Sequence, residues 1–218
     1  MIDLHTHTFF SDGALVPAEL LRRVEILGYK AVAITDHADS SNMDFIIPRM
    51  IQAARDLNPF SNTRLLPGIE LTHVPPALIG QLIRKARELG AQVVVVHGET
   101  IVEPVAPGTN MAAIEAGADI LSHPGLLTEA EAFLAAERGV FIEISGRKGH
   151  CLTNGHVARM ALRTGARLVV NADAHAPGDF LTADMARMVA RGAGLSEEEY
   201  HQVRLNMNAF VDGLPEIW

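Results

Sequence analysis

The chain has 218 residues, of which 48% are hydrophobic and 20% charged, and this composition predicts a single globular domain over residues 1–218. The formal net charge of −8, without a basic run or stripe, argues against extended nucleic acid as a partner. One cysteine excludes an internal disulfide framework, and no stretch is long and apolar enough to cross a bilayer.

Short apolar runs alternate with helical patterns along the whole chain. The runs predict seven buried strands, at residues 2–4, 31–34, 65–69, 93–96, 120–121, 140–142 and 168–170. The helical patterns cover residues 17–27, 41–57, 76–89, 110–115, 128–138, 153–164, 179–190 and 196–211. This alternation predicts right-handed βαβ units and a parallel sheet, hence an α/β fold. Seven strand signals indicate a distorted (β/α)7 barrel similar to a TIM barrel, with an open doubly wound sheet as the alternative.

Every predicted strand is followed by histidine or carboxylate side chains. They are His5, His7, Asp36, His37, Glu70, His97, His123, Glu143, Asp173 and His175. In a barrel of parallel strands the carboxyl ends meet on one face, where active sites lie. An open sheet would gather its ligands at one switch point only, so the spread over all seven strands favours the barrel. Imidazoles and carboxylates that converge in this way predict a metal site with several ions.

These motifs resemble those of a known family. The matching residues are His5-x-His7, Ser11-Asp12-Gly13, Thr35-Asp36-His37, Glu70, His97, His123 and Asp173-x-His175. In this order, and over nearly the whole chain, they resemble the PHP (polymerase and histidinol phosphatase) domain family. The resemblance implies a distorted seven-stranded barrel that binds two to three divalent metal ions, which we expect to be Mn, Zn or Fe.

By motif position, the resemblance also implies how the ligands are shared. A first ion would be bound by His5, His7, Glu70 and Asp173. A second ion would share Glu70 and add His97 and His123. A third ion would be bound by Asp12, His37 and His175. Some members of the family have histidine in place of Asp12, and an oxygen ligand there favours Mn or Mg, or weaker occupancy.

Short members of this family resemble phosphoesterases, so we expect a metal-dependent hydrolase of a small phosphorylated substrate. Histidinol phosphate, a nucleotide or a sugar phosphate are the candidate monoesters. Two ions bridged by Glu70 would lower the pKa of a shared water and supply hydroxide. Arg147, just past the sixth strand, would bind a phosphate oxygen, and Asp36 would orient a metal-binding histidine. Glu70, Asp36 and Arg147 are therefore the candidate catalytic residues.

Other polar residues near the strand ends have weaker signals. Asp3 and Glu143 are expected to support metal ligands, because metal-bound imidazoles usually donate their second N–H to an oxygen. His73 and His150 are treated as ordinary loop histidines. The long loop after the fourth strand, around residues 98–110, is a candidate lid that shapes specificity.

Two other functions remain as alternatives. Binuclear amidohydrolases also begin with His-x-His, but they commonly bridge their ions with a carboxylated lysine at strand four. Here none of Lys30, Lys85 and Lys148 ends a strand, and His97 ends the fourth strand. A non-catalytic module is the other alternative, although every expected ligand position is filled.

The remaining expectations concern location and assembly. No signal peptide precedes the first strand, so we expect a cytoplasmic protein without membrane partners. The apolar segment 214–218 would pack on the barrel or on a second subunit in a homo-oligomer.

Overall fold

The seven predicted strands all form, and all pair in parallel, in the computed structural model of the protein, which describes residues 1–217. The strands are β1 (Ile2–Asp3), β2 (Ala31–Ile34), β3 (His37–Ala38), β4 (Arg64–Leu71), β5 (Val93–His97), β6 (Ile120–Ser122), β7 (Phe141–Ser145) and β8 (Leu168–Asn171). Their order is β1-β2-β4-β5-β6-β7-β8, and the short β3 continues the line of β2 and pairs with β4. The prediction of a distorted seven-stranded α/β barrel is confirmed.

The barrel closes between β1 and β8 mainly through side chains. Asn171 Oδ1 accepts the backbone N–H of Leu4 at 2.9 Å, and Asp3 Oδ2 accepts that of Ala172 at 3.0 Å. Beyond them, Thr6 and Ala174 form an isolated parallel bridge. Burial raises the pKa of Asp3 to about 7, against the lowering effect of its backbone hydrogen bonds. A buried carboxyl group thus joins the first and last strands directly beneath the polar end of the barrel.

Helices surround the strands in the order that the sequence predicts. They are α1 (Pro17–Ile26), α2 (Met43–Leu57), α3 (Pro76–Glu88), α4 (Thr109–Glu115), α5 (Glu129–Arg138), α6 (Asn154–Thr164), α7 (Ala183–Gly192) and α8 (Glu197–Asp212). Both capping boxes form, Thr128 with Glu131 and Ser196 with Glu199. Among residues 1–217, no helix has the length and apolarity needed to span a bilayer.

The largest difference from the predicted helix starts is at α7. The seventh helical pattern starts at residue 179, whereas α7 starts at Ala183, with Thr182 as its capping residue. Residues Pro177–Asp179 form a short 3-10 turn instead. The carboxylate of Asp179 accepts the backbone N–H groups of His175 and Ala176, at 3.0 and 2.8 Å. These bonds hold the loop after β8 closed beside the site, so the helix begins only beyond it.

The core lies both inside the barrel and between the barrel and the helices. The four valines of β5 are at most 1% exposed, as expected for a strand buried on both faces. Leu20, Ile46 and Ile79 cover the barrel from α1, α2 and α3 and are fully buried. The apolar packing gives way to polar side chains at the carboxyl ends of the strands, which is where the candidate site lies.

Candidate metal centre

The structure brings all nine predicted metal ligands to the carboxyl end of the barrel. They lie at or after β1, β3, β4, β5, β6 and β8: His5, His7, Asp12, His37, Glu70, His97, His123, Asp173 and His175. Several of them line a cavity of about 180 Å³ together with Arg147. Six of the nine are at most 2% exposed, namely His5, His7, Glu70, His97, His123 and Asp173.

The deepest group combines two imidazoles and two carboxylates. His5 Nε2 lies 3.3 Å from Glu70 Oε1 and 3.7 Å from Asp173 Oδ1. His7 Nε2 lies 3.3 Å from Asp173 Oδ1 and 3.8 Å from Glu70 Oε2. Each imidazole therefore faces both carboxylates. These are the four residues expected for the first ion.

A second group surrounds Asp12, which lies in the loop after β1. Its Oδ1 is 3.1 Å from His175 Nε2 and 3.5 Å from His37 Nε2. These are the residues expected for the third ion, and His7 also offers a nitrogen to this group. His37 reaches back to the deepest group, because its Nδ1 lies 2.7 Å from Glu70 Oε2.

The third group differs from the expected set. His97 and His123 converge with His150, which was predicted from the sequence to be an ordinary loop histidine. His123 Nε2 remains 3.6 Å from Glu70 Oε1, but His97 Nε2 points to Glu103 Oε2 at 3.1 Å. The structure thus adds His150 and Glu103 to the predicted site residues. Their positions in the sequence could have indicated this, because His150 follows β7 and Glu103 follows β5, and the loops after parallel strands lie at the active-site face of a barrel.

The outward ring nitrogens are held by oxygen atoms. His5 Nδ1 lies 2.8 Å from Glu143 Oε2, which also accepts from Asn171 Nδ2 at 2.9 Å. His97 Nδ1 lies 3.2 Å from the carbonyl of Gly98, and His175 Nδ1 lies 3.0 Å from that of Asp173. Such contacts select the tautomer that has a free Nε2 lone pair directed inward. Glu143 has the supporting position that the sequence suggested.

A bound cation would satisfy the inward nitrogens of these imidazoles. A neutral imidazole has a single N–H, but His5, His97 and His175 have an oxygen acceptor at both nitrogens. Once Nδ1–H is bonded, the Nε2 lone pair faces a carboxylate oxygen. In addition, His5 Nε2, both nitrogens of His7, His123 Nδ1 and Asp173 Oδ1 are buried without a hydrogen-bond partner. Groups of this kind are satisfied when they coordinate a metal ion.

The separations between donor atoms agree with coordination. Two ligands placed about 2.0–2.1 Å from a tetrahedral zinc ion lie about 3.3 Å from each other. The contacts of His5 with Glu70, His7 with Asp173 and His175 with Asp12 measure 3.3, 3.3 and 3.1 Å. The residues present therefore fit divalent metal ions in position and in chemistry.

The pKa shifts follow from burial and crowding. Burial, reinforced by neighbouring imidazoles, lowers the pKa of His7 and of His123 well below the usual range, so both rings are neutral. Burial opposes charge on His5 too, yet Glu143, Glu70 and Asp173 raise its pKa well above normal. Burial, together with Glu70 and Glu143, raises the pKa of Asp173 well above its usual value against the opposing effect of His5. The site attracts positive charge and supplies neutral imidazoles to hold it.

Three residues at the site have an unusual backbone conformation. His73, His123 and Asp173 have positive φ angles of 53°, 27° and 52°. Residues other than glycine rarely adopt this region, and such strain is concentrated at functional sites. The turn after each strand is thereby bent so that the side chain points into the cavity.

Asp36 does not orient His37, contrary to the sequence interpretation. Its oxygens accept from the backbone N–H and the hydroxyl of Thr8 and from the hydroxyl of Ser11, all at 2.7 Å. His37 Nδ1 instead lies 2.7 Å from Thr72 Oγ1. Adjacent residues of an extended chain point in opposite directions, so the two side chains diverge. Asp36 therefore holds the loop that carries Asp12.

Arg147 lies where the sequence placed it, beside the cavity. Its Nη1 is 3.3 Å from the carbonyl oxygen of Asp173 and 3.8 Å from a carboxylate oxygen of Asp179. Its Nε is 3.8 Å from Asp173 Oδ2, and the side chain is 31% exposed. The guanidinium group is thus held at the edge of the ligand cluster with part of its surface open to the cavity.

The support that Glu143 gives to His5 leads to a testable result. Glu143→Gln is expected to weaken metal binding about 10- to 100-fold, as loss of a carboxylate behind a metal-bound histidine does. Titration of the metal-free protein with Zn²⁺ measures the change. Glu137→Gln, an exposed site on α5, is the control. Equal affinities in Glu143→Gln and the unsubstituted protein would contradict the supporting role.

Comparisons with known proteins agree with this geometry. Residues 3–208 match the PHP domain family. An uncharacterised protein of Methanocaldococcus jannaschii, MJ1295, is 45% identical over 206 residues, which are 94% of each chain. The DNA polymerase/3′-5′ exonuclease PolX of Bacillus subtilis is 28% identical over 193 residues, which cover 79% of this chain but 34% of PolX.

Solved structures share the fold at low sequence identity. A chain in the cryo-EM structure of archaeal ribonuclease P with mature tRNA has a TM-score of 0.73 at 16% identity, covering 97% of this chain and 90% of that one. Histidinol phosphate phosphatase of Lactococcus lactis, complexed with zinc, L-histidinol and phosphate, has a TM-score of 0.65 at 14% identity, covering 89% and 94%. With its strand-end ligands in place and the family match over nearly its whole length, the chain belongs to the PHP domain family.

Proposed function

We propose that this protein is a metal-dependent hydrolase that cleaves a small phosphate monoester. The observation that carries the proposal is the position of Arg147, whose guanidinium lines the same cavity as the convergent ligands. Metal ligands are electron-pair donors, and a cation among them has no role in coordination. A guanidinium group is matched to phosphate oxygens, to which it donates paired hydrogen bonds. Family membership and the phosphatase with the same fold support this reading.

The chain's own residues have distinct roles in this proposal. The imidazoles and carboxylates of the three groups hold the ions, which when bound lower the pKa of water and neutralise charge on phosphate oxygens. Glu70 contacts His5, His37 and His123, and so connects all three groups. Ser122 donates its hydroxyl to Glu70 Oε1 at 2.8 Å and fixes the carboxylate plane. Arg147 binds and orients the phosphate from the open side.

The dimensions of the site favour a monoester with a modest alcohol group. The ligand-lined cavity, about 180 Å³, is smaller than the roughly 300–1,000 Å³ of pockets that enclose drug-sized ligands. A neighbouring cavity of about 600 Å³ shares Arg147 and Asp173 with it. Its other walls include Lys148, Phe180 and Met185. We place the phosphate in the first cavity and the alcohol portion in the second.

A substrate screen tests the proposal directly. The protein is loaded with Mn²⁺ or Zn²⁺ and incubated with sugar, amino-alcohol and nucleotide monophosphates, and released inorganic phosphate is measured. Metal-dependent release from at least one compound is expected. Cyclic amides and lactams are assayed in parallel, because an amidohydrolase with this barrel would cleave them. Hydrolysis of amides alone, or no phosphate release by protein that holds two or more ions per chain, would refute the phosphatase assignment.

Arg147→Ala is expected to lower kcat/KM for the phosphate monoester by about 10²-fold, because a charge-assisted pair to the phosphate is lost. The metal content should remain unchanged, since Arg147 donates no electron pair. Arg163→Ala is the matched control, because Arg163 lies on the outer helix α6 and pairs with Glu129 on the surface. Wild-type kinetics in Arg147→Ala would show that Arg147 does not bind the phosphate.

A further inference from the structure

Glu103 lies among three histidines at the mouth of the cavity, in the loop between β5 and α4. Its Oε2 is 3.1 Å from His73 Nε2 and 3.1 Å from His97 Nε2. Its Oε1 is 3.4 Å from His150 Nε2. The carboxylate is 37% exposed, whereas His97 and His150 are largely buried. A surface carboxylate is thus held against several ring nitrogens, each of which can donate an electron pair.

Hydrogen bonding alone leaves one of these contacts unfavourable. Neutral His97 has a single N–H, and its Nδ1 already faces the carbonyl of Gly98 at 3.2 Å. The Nε2 lone pair then faces the negative oxygen of Glu103 at 3.1 Å. A cation between the nitrogen and the carboxylate turns this repulsion into attraction.

The geometry of the group fits such a cation. Donor atoms of His73, His97 and Glu103 all lie within 4.8 Å of one another. The two contacts of 3.1 Å are close to the separation of about 3.3 Å expected between neighbouring ligands of a tetrahedral ion. His73 has a φ of 53°, so its backbone adopts an uncommon conformation at this position.

The loop that carries Glu103 is fixed at its base. Glu99 Oε1 accepts the backbone N–H groups of Gly108 and Asn110, both at 3.0 Å. Asn110 Nδ2 donates to the carbonyl of Pro124 at 2.9 Å. These bonds join the two ends of the loop and tie it to the loop after β6. The position of Glu103 is therefore set by the fold around it.

We propose that Glu103 and His73 are metal ligands, which join His97 to bind a divalent cation at the mouth of the cavity. The inference rests on the proposed metal centre and extends its ligand set into two loops. Two imidazoles and one carboxylate are a ligand set that suits Zn²⁺ and leave a fourth position open.

Metal stoichiometry tests this proposal without reference to activity. The metal-free full chain is titrated with Zn²⁺, and bound metal is counted after desalting; Co²⁺ absorption provides a second measurement. Glu103→Gln, Glu103→Ala and His73→Asn should each bind one ion fewer, or bind it at least tenfold more weakly. Glu115→Gln, an exposed position in α4 just after the same loop, should bind as the wild type does.

The possible results separate the two levels of the proposal. Unchanged stoichiometry and affinity in all three variants, with the wild type binding ions, would overturn the role of Glu103 and His73 and leave the deeper centre intact. A wild type that binds no ion would refute the metal centre itself, and with it the proposed function. Thermal unfolding of each variant verifies that a lost ion does not reflect a lost fold.

Discussion

A Glu70→Gln variant is expected to lose phosphate-ester turnover by roughly 10²–10³-fold or more while it keeps its fold. Glu70 is fully buried and contacts His5, His37 and His123, one from each of the three ligand groups. Glutamine has the same shape and still accepts the hydroxyl of Ser122 through its carbonyl oxygen. It lacks the negative charge with which Glu70 would hold two neighbouring cations. Phosphate release measures the loss of turnover, and bound metal per chain, measured on the same preparation, gives the loss of metal.

A matched control separates this effect from loss of surface charge. Glu88→Gln changes an exposed glutamate of α3, which faces Lys85 at 3.9 Å, and should leave turnover and metal content unaltered. Circular dichroism and the unfolding temperature verify that Glu70→Gln is folded. Activity that remains within tenfold of the wild type would show that Glu70 does not bridge.

Removal of metal is expected to lower the unfolding temperature strongly. An ion present at 1,000 times its Kd stabilises the fold by roughly 4.1 kcal/mol, which for a domain of this size corresponds to about 8–16 °C. Here the effect has a visible cause, because buried donor atoms of His5, His7, His123 and Asp173 lack hydrogen-bond partners. Without cations, Glu70 and Glu143 also disfavour negative charge on the buried carboxyl group of Asp173. Thermal unfolding with and without a chelator measures the shift.

Two controls make the chelation result decisive. Addition of excess Zn²⁺ or Mn²⁺ to the chelated protein should restore the unfolding temperature, which rules out irreversible damage. In Glu70→Gln the chelator should cause a smaller fall, because less metal is bound at the start. If the wild type unfolds at the same temperature with and without chelator, no ion contributes to the native state.

Periodicity made the barrel predictable. A short apolar run followed by a helical pattern has few ways to bury its surface. When this unit is repeated seven times, a closed parallel barrel buries all of the runs. Helix starts were predictable where they depend on residues close in sequence, as the capping boxes at Thr128 and Ser196 show. The start of α7 was not, because the bonds that Asp179 makes to the loop after β8 depend on tertiary contacts.

Convergence of the candidate ligands followed from topology. Residues directly after parallel strands lie on one face of the barrel. The order of the strands was therefore enough to predict that His5, His97 and His123 lie close together. Their division among ions depends on side-chain direction, and there the structure departs from the expectation. His97 points to Glu103 and His150, whereas Glu70 lies nearer to His5 and His37. Asp36 was misinterpreted for a related reason, since its neighbour His37 points the other way.

By itself, the sequence determined the parallel α/β barrel, its family, and the set of imidazoles and carboxylates at the strand ends, because these depend on local patterns and on the direction of the strands. Only the tertiary structure decided which donor atoms face each other. Loop conformation brings Glu103 to His73 and His97, and closure of the barrel brings Glu143 of β7 to His5. Ligand separations of about 3 Å depend on loop conformation and rotamers, which the packing of the whole barrel determines.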